Sequence, residues 1–340
     1  MPSQNPYRAG APVGDTDAFI GRTEILKTVE DIVADLHRNA LALYGQRRIG
    51  KTSVLQQLEV HLSQAYCPIF WDWQDKADWN LRKVVEELTQ NISISLAQTK
   101  PSLGPDPLTT FMQWLADLLN SQNKPLVFLF DEFDVIATKA ATDIISYLGQ
   151  LLNLNHQRLK CLFAIGCKAE KLTNDTSELF RMRNVESKSI SLFTETETKE
   201  LIRLSERNQT LQWSEPAIER VWQLTAGHPY FTQQLCSKIW DFLYRDNPSQ
   251  PPSVTLDQVN TVIPNVLEAS ENILESLWRS FFPNERVVAV MLAQAPATDW
   301  LALTKPLEQI APELKDARNS LEEWNLIQKT IGVTMVFMLR

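Results

Sequence analysis

The sequence predicts an α/β domain on a parallel sheet, followed by a small all-helical domain and a winged-helix-like end. Three observations predict it. Short apolar runs alternate with amphipathic stretches as far as residue 193, the pattern of βαβ units. A glycine-bearing loop joins the first apolar run to the helix after it. Beyond residue 193 the strands stop, and helix signals with capping pairs continue until two β-rich runs near residue 330.

Residues 1–17 are polar and turn-rich, and Phe19-Ile20-Gly21-Arg22 leads into a helix near Thr23–Leu36. Ala40–Tyr44 reads as a buried strand, and Ser53–Leu58 as the start of the helix behind the glycine loop. Pro68–Trp73 is a second strand, followed by an amphipathic helix over roughly Leu81–Leu96. Pro101–Pro107 is a breaker cluster. A short helix then carries Phe111, Trp114, Leu115 and Leu118 at i, i+3, i+4, i+7. Leu126–Phe130 and Lys160–Ile165 are strands three and four, with a helix over Ala141–Leu152 between them, and Ser189–Phe193 is the fifth. Thr194 with Glu197 opens a capped helix running through Leu204. Helices follow at Glu215–Thr225 and Tyr230–Tyr244, then a loop over Asn247–Ser253 and a helix capped by Thr255 with Gln258. Further helices are expected at Asn272–Phe281, Glu285–Leu292, Leu301–Ile310 and Glu313–Trp324. A hairpin of Leu326–Thr330 and Val333–Phe337 would close them as a winged helix. The expected divisions are an N-terminal segment 1–17, a sheet domain 18–193, a helical domain 194–268 and a winged-helix-like domain 269–340.

The 340 residues suffice for two or three domains, and the net charge of −8 argues against a chain built to coat nucleic acid. Met1–Pro6 lacks a basic stretch and an apolar core, so it is no secretory signal. The apolar runs are too short to span a bilayer. Cys67, Cys161, Cys167 and Cys236 lack metal-ligand spacing and read as free thiols, which suits a cytoplasmic chain without a membrane partner.

Gly45-Gln46-Arg47-Arg48-Ile49-Gly50-Lys51-Thr52-Ser53 fits G-x-x-x-x-G-K-[ST] between a strand and a helix, the context that makes the pattern a phosphate site. Only 10 glycines occur in the chain, which makes a chance pair at this spacing rarer still. Glycine lets backbone N–H groups point at phosphate oxygens, and the helix N-terminus adds partial positive charge. Lys51 is placed to reach the β- and γ-phosphates and Thr52 to ligate Mg²⁺. Arg47 and Arg48 read either as a solvated bulge or as charge near the phosphates or a contact to a neighbouring domain. Leu126–Phe130 delivers Asp131 and Glu132 at its tip. Asp131 is the expected Mg²⁺ ligand, and Glu132 the residue that orients or deprotonates the attacking water. Asp134 reads as a solvated acid. Lys168 reads as a γ-phosphate sensor or a surface lysine. Arg181 and Arg183 read as arginine fingers or a helix end.

Four blocks in order then carry a family likeness: Asn5-Pro6-Tyr7 with Phe19-Ile20-Gly21-Arg22, the loop Gly45–Ser53, Leu129-Phe130-Asp131-Glu132-Phe133, and Thr225-Ala226-Gly227-His228-Pro229-Tyr230. The chain resembles the STAND class of ASCE P-loop NTPases, close to AAA+ ATPases, and in particular bacterial AAA-like, novel-STAND proteins. The resemblance implies a sheet order of 5-1-4-3-2, a helical lid and a winged helix. It implies that Phe19 and Ile20 line an adenine pocket, that Arg22 lies near it, and that Pro229 packs near the base. It implies ATP or ADP with Mg²⁺ as ligands. Family members tend to carry an arginine near the end of strand four, where this chain has Cys167 and Lys168, so slow hydrolysis is expected. They also usually join the core to an effector and a sensor. The chain is therefore expected to be a fragment, or to take both from partner proteins.

The leading expectation is a nucleotide-controlled switch with slow Mg-dependent ATP hydrolysis and nucleotide-dependent self-association. The alternatives are an AAA+-like ATPase reading DNA through its winged helix, and a pseudo-enzyme scaffold holding ADP. Residues 313–324 carry four acids against two bases, and residues 265–340 ten against seven, a balance that phosphate backbones repel.

Overall fold

A computed structural model describes residues 4–14, 16–139, 141–154, 157–244, 250–294, 309 and 311–324. The contacts divide the chain into two compact units. One is Gly14–Gln46 with Gly50–Ile190; the other comprises the described residues within Met1–Val13, Arg47–Ile49 and Ser191–Arg340.

The first unit is a five-stranded, all-parallel sheet of β1 (Ala40–Tyr44), β2 (Cys67–Asp72), β3 (Leu126–Asp131), β4 (Leu159–Ile165) and β5 (Glu186–Ser189), in the order β2-β3-β4-β1-β5. β3 and β4 are buried along their whole length, which is why both are mainly apolar, with Asp131 at the end of β3 and Lys160 near the start of β4 as the charged members. Helices α1 (Thr23–Ala34) and α2 (Lys51–Leu62) pack on the strands through residues such as Val29, Ile32, Leu55 and Leu58. A second core joins Phe128, Phe130 and Phe163 to apolar residues of α3 (Leu81–Ser95), α4 (Pro107–Ser121), α6 (Thr142–Leu151) and α7 (Asn174–Met182). Between β3 and α6 lies one turn, α5 (Asp134–Ala137).

Two local expectations are corrected. The helix expected to be short runs 15 residues, because the breaker cluster starts it: Asp106 accepts the Thr109 N–H and Pro107 takes a first-turn position. The fifth strand lies at Glu186–Ser189, not Ser189–Phe193. It is a polar edge strand with alternating exposure, as edges that resist further pairing are. The apolar Ile190, Leu192 and Phe193 behind it are buried, and their run drew the expectation downstream.

The second unit opens on α8 (Glu195–Ile202), where Thr194 and Glu197 make the expected capping box. The helix stops at Arg203, and a separate turn α9 (Leu204–Arg207) follows. Gln212–Trp213 (β6) and Ser253–Val254 (β7) pair in parallel, a small ladder that the sequence did not predict. α10 (Glu215–Thr225) ends in left-handed backbone at Ala226 and Gly227, and Pro229 starts α11 (Pro229–Leu243). One helix, α12 (Leu256–Ser280), replaces the two expected over this stretch and carries Pro264 inside it. With α13 (Pro283–Gln294) and α14 (Glu313–Glu323) it encloses a core of Phe231, Leu277, Phe281, Val288 and Leu321. The expected hairpin at 326–337, the stretch 301–308 and residues 247–249 of the loop at 247–253 lie outside the described residues.

Residues 4–10 belong to this helical unit although, apart from them and Arg47–Ile49, it begins at 191. Asn5 Nδ2 donates to Ser237 Oγ and Asp241 Oδ1, each at 3.0 Å. The buried Tyr7 hydroxyl donates to the Ile202 carbonyl and lies 2.7 Å from Ser205 Oγ. The Arg8 N–H donates to Gln233 Oε1 at 3.1 Å. Among the described residues no helix is long and apolar enough to cross a membrane.

Candidate functional site

The carboxyl ends of β1, β3 and β4 converge in the first unit, the place where open parallel sheets offer a ligand site. The Gly45 N–H, just past β1, donates to the Ile165 carbonyl at the end of β4 (3.2 Å). From there the chain turns through Arg48 (φ 65) and Gly50 (φ 100) into α2. Only glycine adopts the latter without strain. α2 has no side-chain cap and no acid in its first turn, so its partial positive charge is not offset locally. Lys51, 6% exposed, folds back so that Nζ donates to the carbonyls of Gly45 (3.1 Å) and Gln46 (3.0 Å). Ser53 is buried in the same first turn.

Thr52 meets Asp131. Its hydroxyl favours the ionised form of the Asp131 carboxylate, which also accepts the Glu132 N–H at 3.0 Å and feels the charge of Lys51. Asp131 is 2% exposed, and burial holds its carboxyl above the usual range despite these contacts; the neighbouring charge of Asp72 pushes the same way. Asp72 is its register partner on β2. A hydroxyl and a carboxylate are the hard oxygen donors that Mg²⁺ takes beside phosphate and water. Burial of an unneutralised carboxylate is costly, so the site fits a cation physically. Glu132 follows in left-handed backbone (φ 49), a conformation that costs a non-glycine residue energy and turns the chain off the strand.

The other expected site residues fall in three places. Phe19 is half-buried, Ile20 is buried, and Arg22 is buried with left-handed backbone (φ 64) at the start of α1; all three are in the first unit. Arg47, Arg48 and Ile49 group with the second unit. There Arg48 Nη1 donates to the Gly10 carbonyl (2.9 Å), its guanidinium lies 6.0 Å from the Tyr230 ring centre, and Arg47 Nη1 donates to Ser276 Oγ (3.2 Å). The arginines are exposed but are not a free bulge. Pro229 also lies in the second unit, at the first position of α11. Beside it, the Gly227 carbonyl accepts the Phe193 N–H at 2.9 Å, and His228 packs on Phe231 with ring centres 4.7 Å apart.

Two acids that sequence reasoning passed over belong to the sheet end. Asp134 is half-buried and has a protein partner: its Oδ1 accepts the Gly166 N–H at 2.8 Å. Asp72 ends an ordinary strand and carries no motif that points at Asp131. Lys168 is 4% exposed, which removes the surface reading. Arg181 is exposed and Arg183 half-buried; Arg181 pairs with Glu178 at 3.7 Å, and Arg183 donates to Asn153. Gly14 is a third omission, because a Cβ there would come within 2.1 Å of the Ser53 carbonyl. Only glycine lets the N-terminal stretch lie this close to α2. The four cysteines are free thiols, with Cys161 and Cys236 buried.

Residues 19–235 match a family described as an ATPase domain predominantly from Archaea. Among solved structures, the Walker-type ATPase Paby2304 of Pyrococcus abyssi is similar at 16% identity and a TM-score of 0.64, over 97% of this chain and 98% of that one. Cdc6p from Pyrobaculum aerophilum is similar at 14% identity and a TM-score of 0.55, over 100% and 94%. The ORC1 protein of Aeropyrum pernix, solved in complex with DNA, is similar at 13% identity and 0.51, over 91% and 85%. Identities this low speak for shared fold alone. No curated protein sequence matches the chain.

Proposed function

The chain belongs to the family of ATPase domains found predominantly in Archaea, and from that premise we propose that it is a STAND-type ATP switch with slow Mg-dependent hydrolysis. The observation that carries the reading is the contact of Thr52 with Asp131 beside the Lys51 ammonium. In this reading Gly45, Gln46, Arg47, Arg48, Ile49, Gly50 and Ser53 shape the loop whose amides face the phosphates, and Lys51 reaches the γ-phosphate. Thr52 and Asp131 would hold Mg²⁺, which when bound neutralises charge on the phosphate chain. Glu132, one residue beyond, orients the attacking water and accepts its proton. The family likeness would put Phe19, Ile20 and Arg22 at the base and Pro229 near it.

The order β2-β3-β4-β1-β5 supports an AAA+-type 5-1-4-3-2 sheet. We keep the division 18–193, 194–268 and 269–340 into core, lid and winged helix as part of the proposal, with α12 as one continuous helix across the second boundary. The switch would hold ADP in one arrangement and self-associate, or engage an effector, with ATP. Moving such an equilibrium from 1:99 to 99:1 takes about 5.5 kcal/mol of preferential binding. The fold shared with a DNA-bound ORC1 favours a second reading, DNA binding, which the acidic balance of residues 265–340 opposes.

Calorimetry with Mg·ATP and Mg·ADP, turnover, and light scattering in each nucleotide test the proposal. Lys51→Ala should lose nucleotide affinity, and Glu132→Gln should bind ATP and stall. Wild-type protein that takes up neither nucleotide at millimolar concentration would overturn the whole reading. Equal mass with both nucleotides would remove self-association, and a retained ADP with no turnover would leave a scaffold. Salt-dependent duplex binding would install the DNA reading.

A further inference from the structure

β3 ends at Asp131, but hydrogen bonding along β4 goes further. The Phe133 N–H donates to the Ala164 carbonyl at 2.9 Å, and the Gly166 N–H donates to Asp134 Oδ1 at 2.8 Å. A strand residue opposite Ile165 would make those two bonds with its own N–H and C=O. Here a carboxylate oxygen stands in for the carbonyl.

Gly166 is also a meeting point of charges. A Cβ on it would lie 3.3 Å from both carboxylate oxygens of Asp134 and 3.4 Å from Lys51 Nζ. The adjacent Cys167 thiol is pushed up to about 12, first by burial and then by Asp134, with Lys171 and Lys51 pulling the other way. The residue after it, Lys168, is buried. The bond between Gly45 N–H and Ile165 ties the start of the loop to the same point.

From this geometry we propose that Asp134 is a positioning residue for hydrolysis, fixing the turn Gly166-Cys167-Lys168 against Lys51 by accepting the Gly166 N–H. The inference rests on the nucleotide reading of the site. Asp134 acts through a backbone amide of β4 and not on the reacting atoms. The loop amides and Lys51 grip the diphosphate without it, so its loss should slow the chemical step and spare ADP binding. What matters is the acceptor, so an amide oxygen at the same place should serve.

The test compares wild type, Asp134→Asn and Asp134→Ala. It reads kcat and KM with Mg·ATP, Mg·ADP affinity by calorimetry, and the rate at which N-ethylmaleimide alkylates Cys167, located by peptide mass spectrometry. In Asp134→Ala, turnover should fall about tenfold or more, as small misplacements at reacting groups do, with the ADP Kd within about threefold and Cys167 alkylated faster. Asp134→Asn should stay within about threefold of wild type in turnover. Should Asp134→Ala fail to fold, Asp134→Ser, polar but too short to reach Gly166, is read by the same criteria. Wild-type turnover without the acceptor, a matching loss of ADP affinity, unchanged Cys167 alkylation, or Asp134→Asn as slow as Asp134→Ala would each overturn the inference. Wild-type protein that neither binds nor hydrolyses Mg·ATP defeats the function and this inference together. An active wild type with an equally active Asp134→Ala defeats this inference alone.

Discussion

Replacing Gly227 by alanine should open the helical unit far more than the same change at Gly10, and the structure says by how much. Both glycines have left-handed backbone, φ +78 and φ +89. An L-residue pays about 1–2 kcal/mol for that conformation. Nothing lies within 4 Å of a Cβ built on Gly10, so Gly10→Ala should cost no more than this. A Cβ on Gly227 would lie 2.3 Å from the Phe193 carbonyl oxygen and 2.9 Å from Trp222 Cζ3. The first neighbour is backbone, held by the Phe193 N–H bond to the Gly227 carbonyl. Relief therefore means breaking that bond, about 1 kcal/mol net, and overpacking the indole, about 1–3 kcal/mol more. A total near 4 kcal/mol corresponds to several hundredfold faster local opening, against about tenfold for Gly10→Ala. Amide hydrogen exchange by mass spectrometry over α10, α11 and residues 4–13 reads both. Comparable acceleration in the two variants would refute the close-approach argument.

Asp131→Asn should stabilise the nucleotide-free protein by about 0.5–2 kcal/mol at neutral pH, as removal of a costly functional charge does. The folded carboxyl titrates above its unfolded value, so the folded state keeps a proton that the unfolded chain loses. Stability of the wild type should therefore fall as pH rises from the ordinary carboxylate range through the raised one, and the variant should lack this slope. A urea midpoint lower in Asp131→Asn than in wild type at neutral pH would count against it. Tyr7→Phe leaves the Ile202 carbonyl without its donor, so the helical unit should lose about 1–3 kcal/mol in urea unfolding; an unchanged midpoint would deny the N-terminal strap its role. Mg·ADP at a hundred times its Kd should stabilise the wild type by about 2.7 kcal/mol in thermal unfolding and do nothing for Lys51→Ala. An equal shift in both would place the nucleotide elsewhere.

The parts legible in the sequence are those whose cause is local. β1, the loop and α2 announce themselves because a strand, two glycines, Lys51 and Thr52 are consecutive. Thr194 with Glu197 and Thr255 with Gln258 announce helix starts because their bonds close within four residues. The rest depends on partners far along the chain. Asp134 resembles any loop acid until Gly166, 32 residues later, presents its N–H. β5 is polar because it is an edge, so the eye passes to the apolar residues behind it. Proline forfeits a helical hydrogen bond, yet packing along α12 carries the helix through Pro264 and past the division expected near 270. Gly14 shows no special φ and is explained only by the Ser53 backbone beside it.

The strap of residues 4–10 has a consequence for how the chain is made. Its docking partners on α8, α9 and α11 leave the ribosome only after the whole sheet unit has been synthesised. The sheet unit can therefore complete itself first, while the opening residues wait as an unoccupied clasp. Trimming those residues would weaken helices nearly two hundred positions downstream and leave the core of the sheet intact.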